Sequence, residues 1–142
     1  MIVDILARVE ERFLAVGLAQ GRIAIGGASL LAPGLTARTM TGRRESGGGT
    51  SLFARMVGAR DIGLGLGTLI ALGRGAPARG WLEASALVDG LDVAACLLAR
   101  DQLRTHVFPG AVGLAAAGAL LSAWLARQLD PAAPADSGQP ES

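Results

Sequence analysis

The chain has 142 residues, 51% of them hydrophobic, and sets 13 arginines (no lysine) against 12 acids for a formal charge of +1. That length suits one domain, and so even a charge balance excludes the clustered basic surface that binding nucleic acid requires. A single cysteine, Cys96, and a single histidine, His106, exclude an internal disulfide and a histidine-rich metal site.

Taken in chain order, Ile2, Ile5, Leu6, Val9, Phe13 and Val16 keep helical spacing. They form either an interfacial amphipathic turn or an early start to the first long helix. Asp4, Glu10 and Glu11 stand where a secretory signal carries net positive charge, and Arg22 interrupts the apolar run that follows, so a signal peptide is not expected. Four apolar stretches then predict helices over about residues 13–35, 52–72, 81–99 and 107–126. Each is ~20 residues, the length needed to cross the hydrocarbon core of a bilayer. The first is stopped by Pro33-Gly34, and the fourth carries Ser122 as its sole polar residue besides glycine. Trp81 and Trp124 fall near segment ends, as interfacial aromatics do.

Between the first two runs lies the polar, glycine-rich "TARTMTGRRESGGGTS". "RGAPAR" is too short for anything but an antiparallel hairpin, and in "RDQLRTHVFPG" Pro109 suits the first turn of the fourth helix. Residues 129–142, rich in Pro, Ala and Ser, have no means of packing and are expected to be disordered. The expected architecture is all-α: an integral membrane, up-and-down bundle of four transmembrane helices in the cell membrane. A soluble four-helix bundle is the competing architecture, but "GAVGLAAAGALLSAWLA" lacks the polar face a soluble surface helix requires. Arginines divide evenly between the two sets of loops, so the positive-inside rule assigns no orientation.

The segments "GRIAIGGASLLAPGLTAR", "ARMVGARDIGLGLGTL" and "LVDGLDVAACLL" resemble a family of small bacterial and fungal integral membrane proteins, catalogued as domain of unknown function 4267. The resemblance runs from Gly17 to Leu98, and its most specific piece is Gly58-Ala59-Arg60-Asp61 followed by glycines, then Asp89 and Asp92. It implies a four-helix membrane fold and brings no established activity with it.

Charges at mid-helix cost about 2.5–3.5 kcal/mol each on insertion scales. Arg60 and Asp61 therefore belong in the second run only if they face other helices and find partners there. Hairpin geometry tests this. Reflecting the second and third helices about residue 76 places Arg60 level with Asp92 and Gly63 level with Asp89. Facing Pro33 with Leu52 brings Arg22 to the depth of Gly63. Arg22 and Asp89 are thus expected as one pair, Arg60 and Asp92 as another, all in one layer.

Periodicity agrees. Ser85, Asp89, Asp92 and Cys96 share a stripe, as do Arg22, Gly26 and Ser29, and Gly58, Asp61, Gly65 and Thr68. Arg60 lies about 100° to one side of the last of these. With Arg22 matched to Asp89 and Arg60 to Asp92, Asp61 is the third carboxylate, left without an arginine of its own. Gly58 and Gly65 are expected against a neighbouring helix. The fourth helix offers Gly113, Ala115–Ala117 and Gly118 at this depth, a smooth wall. Three carboxylates face two guanidinium groups, so either one carboxyl keeps its proton or something cationic binds.

Three readings of this layer stand open. It only holds the helices in register, although apolar replacements of buried ion pairs are often as stable. It is a site for a lipophilic small molecule, with Asp61, Asp89 and Asp92 as candidate acid–base carboxylates and Arg22, Arg60 and Ser85 as binding groups. Or it is a proton or ion path, which four helices serve poorly unless copies of the chain assemble. Membrane lipid is the expected partner, a homo-oligomer is left open, and no cofactor or metal is expected. "GLGLG" follows no strand and is not a nucleotide loop, "VDGLD" lacks the remaining ligands of a calcium loop, and two arginines oppose a cation on the three aspartates. Ser85 and Cys96 have no nearby histidine to activate them.

Overall fold

The computed structural model describes residues 2–41, 48–102 and 108–129. The middle of the first polar loop, His106, and the tail expected to be disordered, from residue 130 on, lie outside the described residues. All described elements are helical: α1 (Ile2–Leu31), α2 (Pro33–Thr41), α3 (Gly48–Gly73), α4 (Arg79–Leu98), a single 3₁₀ turn (Arg100–Gln102) and α5 (Phe108–Leu129).

Several boundaries differ from expectation: α3 starts at Gly48 inside the glycine-rich loop rather than at 52, and α5 runs to Leu129, past 126 and into the first residue of the expected tail. The periodicity that begins at Ile2 is the early start of the first helix. Pro33-Gly34 ends α1 but opens the unexpected short helix α2. Proline at the first helical position has no N–H to leave unsatisfied and a φ already suited to a helix. The two helices abut through Ala32, whose carbonyl accepts from the backbone N–H groups of Leu35 and Thr36. The α3–α4 hairpin forms as its length requires. Gly75 adopts φ 64°, with Gly75 N–H donating to the Leu72 carbonyl and Ala76 N–H to that of Ala71. This left-handed closure of a helix end strongly favours glycine. Arg12 reaches across from α1 to donate to the Leu72 carbonyl at 2.5 Å, placing a cation on the negative end of α3.

The long helices pack as two antiparallel pairs, α1 with α3 and α4 with α5. Beside Leu64, Gly67 and Ala71, which α3 also buries, the seam of the first pair runs through Ala15, Ala19, Arg22, Gly26 and Ser29 on α1, and Ala54, Gly58, Asp61, Gly65, Thr68 and Leu72 on α3. Their alternating steps of four and three are those of a coiled-coil seam. Small residues bring the two backbones together: a Cβ on Gly58 would stand 2.6 Å from the Gly26 carbonyl oxygen, and one on Gly65 2.6 Å from that of Ala19. Both glycines lie against α1, as their spacing predicts.

The two pairs share a core only at the hairpin end. There Ala15 of α1, Ala71 and Leu72 of α3, Leu82 of α4, and Leu125 and Ala126 of α5 meet, with Ala78 beside them. Past the middle of the helices this shared burial ends. The α1–α3 seam stays buried as far as Ser29 and Ala54, whereas α4 has no buried residue beyond Asp89 and α5 none before Ser122.

Three helical segments are long and apolar enough to cross a membrane: Val9–Leu31, Gly48–Gly73 and Phe108–Leu129. The expected fourth, α4, does not join them on composition. It carries Glu83, Asp89 and Asp92 within 20 residues, and Arg79 donates to Glu83 one turn on at 2.7 Å.

Candidate functional site

Arg60, Asp61 and Asp89 sit close to the midpoints of their helices, Arg22 close to the middle of the Val9–Leu31 stretch of α1, and Asp92 one turn past the midpoint of α4. Arg22 comes from the α1 seam, Asp61 from the α3 seam and Asp89 from the buried stripe of α4, so the heptad spacing that buries the small residues also points these three inward. Arg60, next to Asp61, emerges at the side of α3 that faces α4.

The five groups form one alternating chain. Arg22 Nη2 donates to Asp89 Oδ2. Arg22 Nη1 approaches Asp61 Oδ1 at 3.4 Å, and Arg60 Nη2 approaches the same oxygen at 3.2 Å. Arg60 then holds Asp92 with both ends of its fork, Nη1 to Oδ1 at 3.1 Å and Nη2 to Oδ2 at 2.9 Å. That bidentate arrangement is the strong form of the arginine–carboxylate bond. Both pairs predicted from hairpin depth are therefore joined. Asp61, expected to lack an arginine, has two: a long arginine side chain spans the 100° between adjacent helical positions. Read in order, Asp89, Arg22, Asp61, Arg60 and Asp92 alternate in sign from α4 through the α1–α3 pair and back to α4. The chain thus ties one helix pair to the other at the level where the shared core ends.

Burial changes along it. The side chains of Arg22, Asp61 and Asp89 are 9%, 12% and 10% exposed, against 31% and 40% for Arg60 and Asp92. The first three are covered by the helices around them, and the last two are partly open. Two donors inside the layer, Arg22 Nε and Arg60 Nε, are buried without a partner.

The fourth long helix is not the smooth wall its sequence suggests. Gly118 of α5 faces Asp89 so closely that a Cβ there would stand 2.5 Å from Asp89 Oδ2, while Gly113 meets open space. The Gly118–Asp89 register places Ser122 level with Ser85. Both are fully buried, and the Ser122 hydroxyl has no partner. Ser85 is thus one turn below the ion-pair chain, and no bond joins it to the chain. Ser29 and Thr68, by contrast, each donate to the carbonyl one turn back on their own helix. Cys96 is free and only half-buried. Among the described residues no group of His, Cys, Asp or Glu is placed to hold a metal ion.

Chemically the layer offers carboxylates that can exchange protons, guanidinium groups that can hold developing negative charge, and one more carboxylate than guanidinium. Comparisons with protein families, with curated proteins and with solved structures find no match to this chain. The functional reading therefore rests on this geometry.

Proposed function

We propose that the chain is a multi-pass protein of the cell membrane, crossing it four times. The layer at mid-helix is then the polar floor of a site for a lipophilic small molecule. α4 joins the three apolar spans because its two central aspartates are matched by the arginines of α1 and α3, which removes the main cost of burying them. The resemblance to domain of unknown function 4267 agrees with such a fold and adds nothing to the chemistry.

One observation carries the site: Arg60 and Asp92 are 31% and 40% exposed midway along the helices, where hydrocarbon is the poorest cover for a charged pair. A molecule with an apolar body and a polar head, lying against this pair, covers them. Because carboxylates outnumber guanidiniums, a cationic or proton-bearing head fits best. Asp92 meets it first, with Asp61 and Asp89 behind. A carboxylate that gives or takes a proton there, beside an arginine that holds developing negative charge, suits isomerisation, cyclisation or epoxide opening, none of which needs a cofactor.

The test is a native mass-spectrometry screen of the purified protein against membrane lipid extract and a panel of lipophilic amines. The expected result is a ligand retained by the parent and lost from the Arg60→Leu/Asp92→Leu double variant, which removes both charges together and keeps the fold. A second reading is supported by the ion pairs themselves. Every carboxylate in the layer already holds an arginine, so the chain also serves as a brace between the two helix pairs. If the parent retains nothing that the double variant loses, the brace is the whole of its role.

A further inference from the structure

A separate cavity of about 430 Å³ lies on the outer face of α3 beside the hairpin, lined by Gly63, Leu66, Gly67, Ile70, Arg74 and Trp81 among others. The α3 residues recur at one face of the helix, so the cavity is a groove running along it. Glycine gives it depth: Gly63 presents no side chain, and Gly67 lies under the indole of Trp81, whose ring would overlap a Cβ placed there. Leu66, Ile70 and Trp81 form its walls, each close to half exposed. At its outer end stands Arg74, exposed and with no ion pair among the described residues, whereas neighbouring Arg79 is held by Glu83.

The dimensions match one leaflet. From Gly63 to Gly73, the last residue of α3, the helix rises about 15 Å, half of a hydrocarbon core about 30 Å thick, and Arg74 follows directly. The inner end, Gly63, is one turn from Arg60 and lies at the depth of the charged layer. Arg74 is at the end of the span, where a headgroup phosphate resides.

We propose that this groove binds one anionic phospholipid, its phosphate on Arg74 and one acyl chain lying along Gly63, Gly67 and Ile70 against Trp81. Charge selects the headgroup: every phospholipid offers the unpaired guanidinium a phosphate to fork, but only an anionic one brings no cation of its own beside it, and among the described residues no carboxylate lines the groove to repel it. The proposal shares with the preceding one only the insertion of the chain in a membrane.

The experiment is native mass spectrometry of the full chain in detergent, titrated with phosphatidylglycerol and phosphatidylcholine of identical acyl chains. The parent should take up one phosphatidylglycerol at a concentration at least tenfold below that needed for phosphatidylcholine. Arg74→Gln should abolish the preference and Arg74→Lys restore part of it. Gly63→Leu, whose added side chain enters open space, should weaken both lipids alike by blocking the inner end. Asp92→Leu combined with Arg60→Leu should leave the preference intact, which separates this groove from the charged site. A preference that survives Arg74→Gln, or uptake that climbs without a saturable first lipid, would mean ordinary annular lipid and overturn the proposal.

Discussion

Gly118 of α5 and Asp89 of α4 meet so closely that the glycine's missing side chain makes room for the carboxylate: a Cβ would stand 2.5 Å from Asp89 Oδ2. The same carboxylate is bonded to Arg22, so it is not free to swing away. Gly118→Ala must therefore displace either Asp89 or α5 itself, a strain of about 1–3 kcal/mol. Gly113→Ala, facing open space, gains up to about 1 kcal/mol of helix propensity. Unfolding of the two variants in detergent should differ in that order. Equal stability would mean that Asp89 is held elsewhere.

The α1–α3 seam yields a second contrast. Any side chain on Gly58 or Gly65 meets backbone carbonyl oxygens, Gly26 O in one case and Ala19 O in the other, each 2.6 Å from the added carbon. Backbone cannot give way as a flexible side chain can. Leucine at either position should sharply lower folded yield by forcing the helices apart, and alanine should already cost about 1–3 kcal/mol. Gly17→Ala and Gly63→Ala, with nothing near the added carbon, serve as controls on the same two helices. Parent-like melting of both leucine variants would place the helix interface elsewhere.

Much of this arrangement was legible from the residues alone, and the reasons for what was not are physical. A hairpin of fixed length sets depth, so Arg22 could be matched with Asp89 and Arg60 with Asp92 by reflection alone, and the seam spacing marked Gly58 and Gly65 as contacts. Depth says nothing about lateral neighbours. The division into α1–α3 and α4–α5 pairs, the approach of Gly118 to Asp89, and the placing of Ser85 beside Ser122 all depend on which helix lies next to which. Asp61 departs from expectation because depth assigns each arginine one carboxylate, whereas a guanidinium has donors enough to reach two. α2 departs from it because Pro33 breaks one helix and opens the next with equal ease.

The two ion pairs should respond unequally. Arg22 and Asp89 are each about nine-tenths buried, so Arg22→Leu or Asp89→Leu alone leaves an uncompensated charge inside, typically a loss of 3–5 kcal/mol. Replacing both should restore much of it, the coupling that a double-mutant cycle measures. Arg60 and Asp92, 31% and 40% exposed, should show the same sign and a smaller coupling, because the surviving charge can find a polar group from outside. Strictly additive losses in the buried pair would show that the two groups do not act as partners.

Asp61 separates the site from the brace. One of its oxygens, Oδ1, accepts from Arg22 Nη1 at 3.4 Å and Arg60 Nη2 at 3.2 Å. Asparagine keeps a carbonyl oxygen that can accept both bonds, so the network's shape survives, with each charge-assisted bond weakened by about 1 kcal/mol. The same change removes the surplus negative charge, leaving two carboxylates against two guanidiniums, and that gain offsets part of the loss. Asp61→Asn should therefore unfold in detergent within about 1–2 kcal/mol of the parent. If the layer is a site, the variant should bind a lipophilic amine at least tenfold more weakly, since the extra charge that favours the cationic head is gone and an amide cannot exchange the proton. Unchanged binding would remove the carboxylate from the site. Unfolding on the scale of Arg22→Leu would instead make Asp61 the central tie of a structural brace, since two arginines would then depend on its charge to stay inside the bundle.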